Sequence, residues 1–191
     1  MRMQYLPGTT IEANINKLGV SEKILGNIFQ TGGLVMSQLS VLLGLEPYII
    51  QNWVKRGFLA PPVKKLYTKR QFCRLCIINM LKDTLRLERI AALISYVNGR
   101  LDDESDDTVG DDCLYNYYVD MCFLLTAEDA DIDAVLDKVT ETYNEPCEGG
   151  RERLKRVLLV MYHSHISAMA KKQAESILES FDNTERVNFD E

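Results

Sequence analysis

The sequence is poor in the residue types that build catalytic and metal sites. It has two histidines and five cysteines. His163 and His165 stand two apart in a helical pattern, so their side chains point in different directions. Cys73 and Cys76 have C-x-x-C spacing, but a zinc site takes four ligands and no second pair stands at a suitable distance. A redox pair has its first cysteine near a helix N-terminus. This one lies inside an amphipathic helix, where buried structural thiols are expected. An odd number of irregularly spaced cysteines makes no disulfide framework. Reduced thiols and a cytoplasmic location are therefore expected.

No apolar run approaches the roughly 18–20 residues of a membrane span. Met1–Tyr5 carry one charge with no apolar stretch behind it, so no secretory signal is expected. Glycine-rich phosphate loops, nucleophile–base pairs and paired catalytic carboxylates are missing, so neither an enzyme nor a cofactor is expected. An EF-hand fails too, because no Asp-started loop has glycine at its sixth position and a closing Glu.

Apolar residues make up 46 % of the 191-residue chain, enough to fill a core. The net charge of −6 would by itself argue against nucleic acid, but the charge is split. From Leu34 to Arg100 there are eleven Lys and Arg against three Asp and Glu, a net +8. From Leu101 to Glu191 there are eight against 23, a net −15. Only the basic part gains by releasing phosphate counterions. The acidic part is repelled by DNA and is expected to face away from it.

The pattern is mainly α, without internal repeats or sustained strand alternation. Residues 1–33 read as an N-terminal arm in which Ser21 caps a short helix with Ile24, Leu25, Ile28 and Phe29 on one face. Ser37 is a candidate N-cap for the next helix, which Gly44 stops. Pro47 opens a second helix over Tyr48–Arg56, and Gly57 ends it as a C′ glycine does. Two short helices joined by a tight glycine turn make a helix-turn-helix. The prolines of Ala60–Tyr67 forbid a helix interior and predict a basic loop or small hairpin. Thr68 caps a third helix over Lys69–Lys82, with Phe72, Leu75, Cys76 and Leu81 inward. A fourth carries Leu87, Ile90, Ala91, Ile94 and Val97 at helical spacing and stops at Asn98-Gly99.

Residues 34–99 thus form one unit, and 100–112 read as a solvated, mobile acidic linker. Residues 113–182 read as an all-helical dimerisation or sensor region. Thr126 is the expected cap of a helix bearing Ile132, Val135, Leu136, Val139 and Tyr143. A long final helix runs from about Arg151 to Phe181, and one apolar stripe on so long a helix is often buried against another subunit. Residues 183–191 are expected to be a disordered tail.

The segment Met36–Val97 resembles the DNA-binding domain of the MerR family, whose order is helix, turn, recognition helix, basic wing and two supporting helices. The likeness rests on Ile50-Gln51-Asn52-Trp53-Val54-Lys55-Arg56-Gly57-Phe58-Leu59, on Pro61-Pro62-Val63-Lys64-Lys65-Leu66-Tyr67-Thr68, and on Leu87-Glu88-Arg89-Ile90. The Pro-Pro-Val-Lys-Lys-x-Tyr stretch is also similar to an uncharacterised Firmicutes domain-of-unknown-function group with the same core. The resemblance implies a winged helix-turn-helix regulator that binds double-stranded DNA as a homodimer, with a possible small-molecule or protein effector at the C-terminal half. Gln51-Asn52 stand where the MerR family has an Arg-Tyr pair. Lys65 stands where its wing has an arginine, and lysine makes no bidentate fork to phosphate.

The chemistry also follows from the residues. Ile50 and Trp53 suit a buried helix face, which leaves Tyr48, Gln51, Asn52 and Lys55 outside. Gln and Asn amides pair with adenine N6 and N7, worth roughly 1–3 kcal/mol of discrimination. Lys55, Arg56, Lys64, Lys65, Lys69 and Arg70 can neutralise phosphates, which sets register rather than sequence. Ser37, Gln38 and Tyr67 complete the expected DNA-contacting set. An alternative is a protein-interaction adaptor whose acidic helical half binds a basic partner.

Overall fold

The computed structural model describes residues 4–98 and 108–187, and eight helices make up almost all of its regular structure. They are α1 (Val20–Ile28), α2 (Met36–Leu43), α3 (Pro47–Lys55), α4 (Lys69–Leu81), α5 (Leu87–Asn98), α6 (Asp111–Leu124), α7 (Ile132–Val139) and α8 (Gly150–Val187). Among the described residues, β pairing is limited to three isolated bridges. No described helix is long and apolar enough to cross a membrane.

α4 is the hub, packed against α2, α5, α6 and α8. Its sequence predicts four inward residues, yet nine of its side chains are buried, Arg74 among them. A helix surrounded by neighbours has no solvent stripe to keep polar. Thr68 caps it as expected, its hydroxyl accepting the Gln71 N–H at 3.2 Å while Gln71 Oε1 accepts the Thr68 N–H at 2.9 Å. Such a reciprocal pair satisfies two of the donors a helix start leaves open.

Part of the expected N-terminal arm, among the described residues, belongs to the core. Leu6 and Leu25 are fully buried. The Tyr115 hydroxyl donates to the Pro7 carbonyl at 2.7 Å, and Asn79 Nδ2 donates to Gly8 O and Leu43 O, both at 2.9 Å. Thr10 closes the end of α2, its hydroxyl donating to Val41 O at 2.8 Å. Ser21 does not cap α1. Gly19 holds that position with φ 75°, and Ser21 turns inward to donate to Asn116 Oδ1 at 2.8 Å.

The starts of α2 and α7 also differ from expectation. Val35, not Ser37, precedes α2, and Gln38 Oε1 accepts the Val35 N–H at 3.0 Å. Thr126 donates to Phe123 O at the end of α6, while Asp131 caps α7 by accepting the Ala134 N–H at 2.8 Å. A carboxylate at a helix start also meets the positive end of the dipole.

Part of the expected linker, residues 100–107, lies outside the described residues. Its remaining residues are not solvated chain: Val109 and Asp111 are buried, and α6 begins at Asp111. A single apolar core runs from Leu6 through α4 and α6 to Met161. α8 continues to Val187, past the expected start of the tail, whose last four residues also lie outside the described set. At 1.5 Å per residue its 38 residues span about 57 Å. From Lys171 to Phe181 every side chain is exposed, including Ile177, Leu178 and Phe181.

Candidate nucleic-acid interface

α2 and α3 are joined by Gly44-Leu45-Glu46, with Gly44 left-handed at φ 63° and Pro47 at the first position of α3. Ile50 and Trp53 face the core. Tyr48, Gln51, Asn52 and Lys55 lie on the exposed side, with Tyr48 68 % exposed. Ser37 and Gln38 are in the first turn of α2, where the Gln38 amide oxygen is engaged with the backbone.

The chain leaves α3 through Gly57 at φ 75° and enters a small hairpin. Val63 and Leu66 exchange both backbone hydrogen bonds, at 3.1 and 2.9 Å. Lys64 and Lys65 form the two-residue loop between them, both exposed. The hairpin is tied to the start of α2 by a bridge between Leu34 and Tyr67, with N–H···O distances of 3.0 and 2.8 Å.

Tyr67 is corrected from a DNA contact to a core residue, since only 3 % of it is exposed. Successive residues on extended chain point to opposite faces, so Leu66 out places Tyr67 in. Burial also raises its phenol above the usual range.

Three expected phosphate-binding side chains already hold carboxylates of their own chain. Arg56 Nη2 lies 2.7 Å from Glu88 Oε1 of α5, with its guanidinium carbon 4.8 Å from the Phe58 ring centre. Lys69 Nζ lies 2.9 Å from Asp112 Oδ2, a bond that raises the ammonium above its usual range. Arg70 Nε is 3.7 Å from Asp111 Oδ2. The start of the acidic half therefore closes on the basic half instead of facing away. Lys55, Lys64 and Lys65 have no ion pair among the described residues.

Beneath this surface lies a buried polar cluster that sequence reasoning missed. Arg74 Nη1 binds both Asp111 carboxylate oxygens, at 3.3 and 3.1 Å, and Asn98 Nδ2 donates to Asp111 Oδ1 at 2.7 Å. Burial raises the Asp111 carboxyl, and Arg74 and Arg70 oppose the rise. A buried guanidinium this close to both oxygens favours the ionised pair.

The remaining candidates have other roles. Cys73 and Cys76 are buried, and burial raises both thiols well above the usual range. Tyr115 and Tyr118 are fully buried. Between α6 and α8 a cavity of about 60 Å³ is lined by Cys122, Tyr162, His165 and Met169, among others. That is well below the roughly 150 Å³ of an engineered cavity that holds benzene.

The model of a domain of unknown function (DUF1836) matches residues 35–118, from the start of α2 to the middle of α6. That agrees with the likeness to an uncharacterised domain group. It also groups α6's first half, with Asp111, alongside α2–α5. No curated protein and no solved structure matches the chain.

Proposed function

We propose that α2, α3 and the Val63–Leu66 hairpin act as a winged helix-turn-helix of the MerR kind, and that the protein is a transcription regulator binding double-stranded DNA. The observation that carries this reading is the exposed side of α3. Tyr48, Gln51, Asn52 and Lys55 share it while Ile50 and Trp53 anchor the helix from behind. The exposed lysine hairpin adds a phosphate-binding point beside it. Gln51 and Asn52 read base edges in the major groove, and Lys55, Lys64 and Lys65 neutralise phosphates. The protein acts as a homodimer, a reading supported by the apolar residues exposed along the last third of α8. Two copies then meet two half-sites related by a two-fold axis.

In vitro selection from random duplex DNA at low salt tests this. The expected winners contain an inverted repeat, and their affinity falls steeply with salt. Failure to enrich any sequence, with binding insensitive to salt, overturns the reading.

The adaptor reading keeps one observation in its favour: Lys69, Arg70 and Arg56 are engaged within the molecule, which lowers the charge open to phosphate. It predicts that Lys64→Glu with Lys65→Glu leaves function intact, whereas the regulator reading predicts that binding disappears.

A further inference from the structure

We infer that Asp111, the first residue of α6, is a positioning residue for the lysine hairpin, acting through Arg74 on the carbonyl of Phe58; the inference rests on the DNA-binding reading of that hairpin.

The chain between Gly57 and Val63 makes few hydrogen bonds of its own, because Pro61 and Pro62 have no N–H to donate. Two side chains of α4, about one turn apart, hold it instead. Gln71 Nε2 donates to Ala60 O at 2.9 Å and to Pro61 O at 3.1 Å. Arg74 Nε donates to Phe58 O at 3.1 Å. Three accepting carbonyls on the path into the hairpin, interrupted only by Leu59, are therefore set from α4.

Each clamp is aimed by a second partner. Gln71 is fixed by the Thr68 N–H bonded to its Oε1. Arg74 is fixed by Asp111, which takes Nη1 while Nε faces Phe58. Only the forked guanidinium reaches a carboxylate and a carbonyl at once. Arg74 is 4 % exposed, and a buried guanidinium without its counter-charge turns toward water and abandons Phe58. Asn98 holds Asp111 from the α5 side. The end of α5, at Asn98, and the start of α6, at Asp111, are thereby coupled to the exit of α3 and the root of the hairpin.

The test uses the full chain carrying Arg74→Met with Asp111→Asn. This removes both buried charges and keeps an acceptor for Asn98. Replacing a buried pair by neutral groups of similar size is often close to neutral for stability, so a melting temperature near wild type is expected. Amide hydrogen exchange of the free protein then reads the hairpin directly. The amides of Val63, Leu66 and Tyr67 should exchange about tenfold faster while those of α6 and α8 keep their protection. DNA affinity should fall about tenfold with an unchanged salt slope, because every phosphate-binding lysine is still present.

Arg74→Lys is the second variant, since it keeps a positive partner for Asp111 and removes only the fork. It should give the same local exchange. Unchanged exchange at Val63 and Leu66 overturns the inference. So does uniformly faster exchange throughout, which marks a purely structural pair. If the wild type binds no DNA, the regulator reading fails, yet the exchange result still decides the clamp.

Discussion

Lys64 and Lys65 are consecutive residues with φ 50° and 66°, the left-handed backbone that a two-residue hairpin loop demands. Asn-Gly is the usual occupant, because other side chains are strained there. Two lysines at the tip therefore cost folding energy, and they place two ammonium groups at the turn of the hairpin. Residues kept in sparse backbone regions cluster at functional sites.

Exchanging them for the favourable pair should separate stability from binding. Lys64→Asn with Lys65→Gly is expected to stabilise the fold by about 1 kcal/mol. The urea midpoint should rise with its slope unchanged. DNA affinity should fall, and the log–log salt slope should become shallower by about one unit for each phosphate no longer neutralised. A destabilised variant that still binds with the parental salt slope would contradict both halves of the prediction.

On the DNA-binding proposal, Gln51 and Asn52 supply base readout rather than charge. Alanine at either position should cost about 1–3 kcal/mol at one base pair and relax the preference there. Non-specific affinity and the salt slope should stay as they are, since Lys55, Lys64 and Lys65 are untouched. Both residues are exposed, so folding should be unaffected. Selection from random DNA with each variant checks this, and an unchanged consensus would remove that residue from base readout.

Gly8 is irreplaceable for a different reason. Its φ is 72°, and a Cβ built there would lie 2.2 Å from the Cys76 carbonyl oxygen. Both atoms are fixed to backbone, so neither yields cheaply. Gly8→Ala should cost about 3 kcal/mol or more, through strain and overpacking together. Gly57 shares the positive φ, at 75°, but a Cβ there would meet nothing within 4 Å. Gly57→Ala should therefore cost about 1 kcal/mol, from backbone strain alone. Thermal melts of the two variants should differ clearly, and equal destabilisation would mean that the N-terminal segment does not pack on α4.

What the sequence made legible was local. Gly44, Pro47, Gly57 and Thr68 act within a few residues of themselves, so their roles could be read directly, and the short hairpin was foreshadowed by Pro61 and Pro62. What escaped was set by distant partners. Leu6, Pro7, Gly8 and Thr10 lie in an aperiodic stretch, and the last three meet Tyr115, Asn79, Cys76 and Leu42. No periodicity within the first 33 residues could announce that. The pairing of Lys69, Arg70 and Arg74 with Asp111 and Asp112 likewise joins residues about forty positions apart, so net charge by segment overstated the exposed basic surface. Tyr67 alone had an available signal, the two-residue alternation that puts it opposite Leu66.

His165 makes the pH dependence of stability specific. Its Nδ1 lies 2.6 Å from the Tyr118 hydroxyl oxygen, with the ring centres 5.9 Å apart. Burial, helped by the charge of Lys172, lowers the imidazole from its usual 6.5 to about 4. The unfolded chain therefore takes up this proton near pH 6.5 and the folded chain only near pH 4. Between those values the unfolded state binds more protons, so acid favours unfolding. The contribution of neutral His165 is fully present above about pH 6.5 and is lost as the pH falls toward 4. Its size is about 2 kcal/mol once partial access to water is allowed for. His165→Gln has no such proton to take up. Between about pH 6.5 and 4.5 its melting temperature should fall less than that of the wild type, before most carboxylates titrate. Parallel melting curves for the two proteins over that window would show that the imidazole is as easily protonated in the folded chain as in the unfolded one.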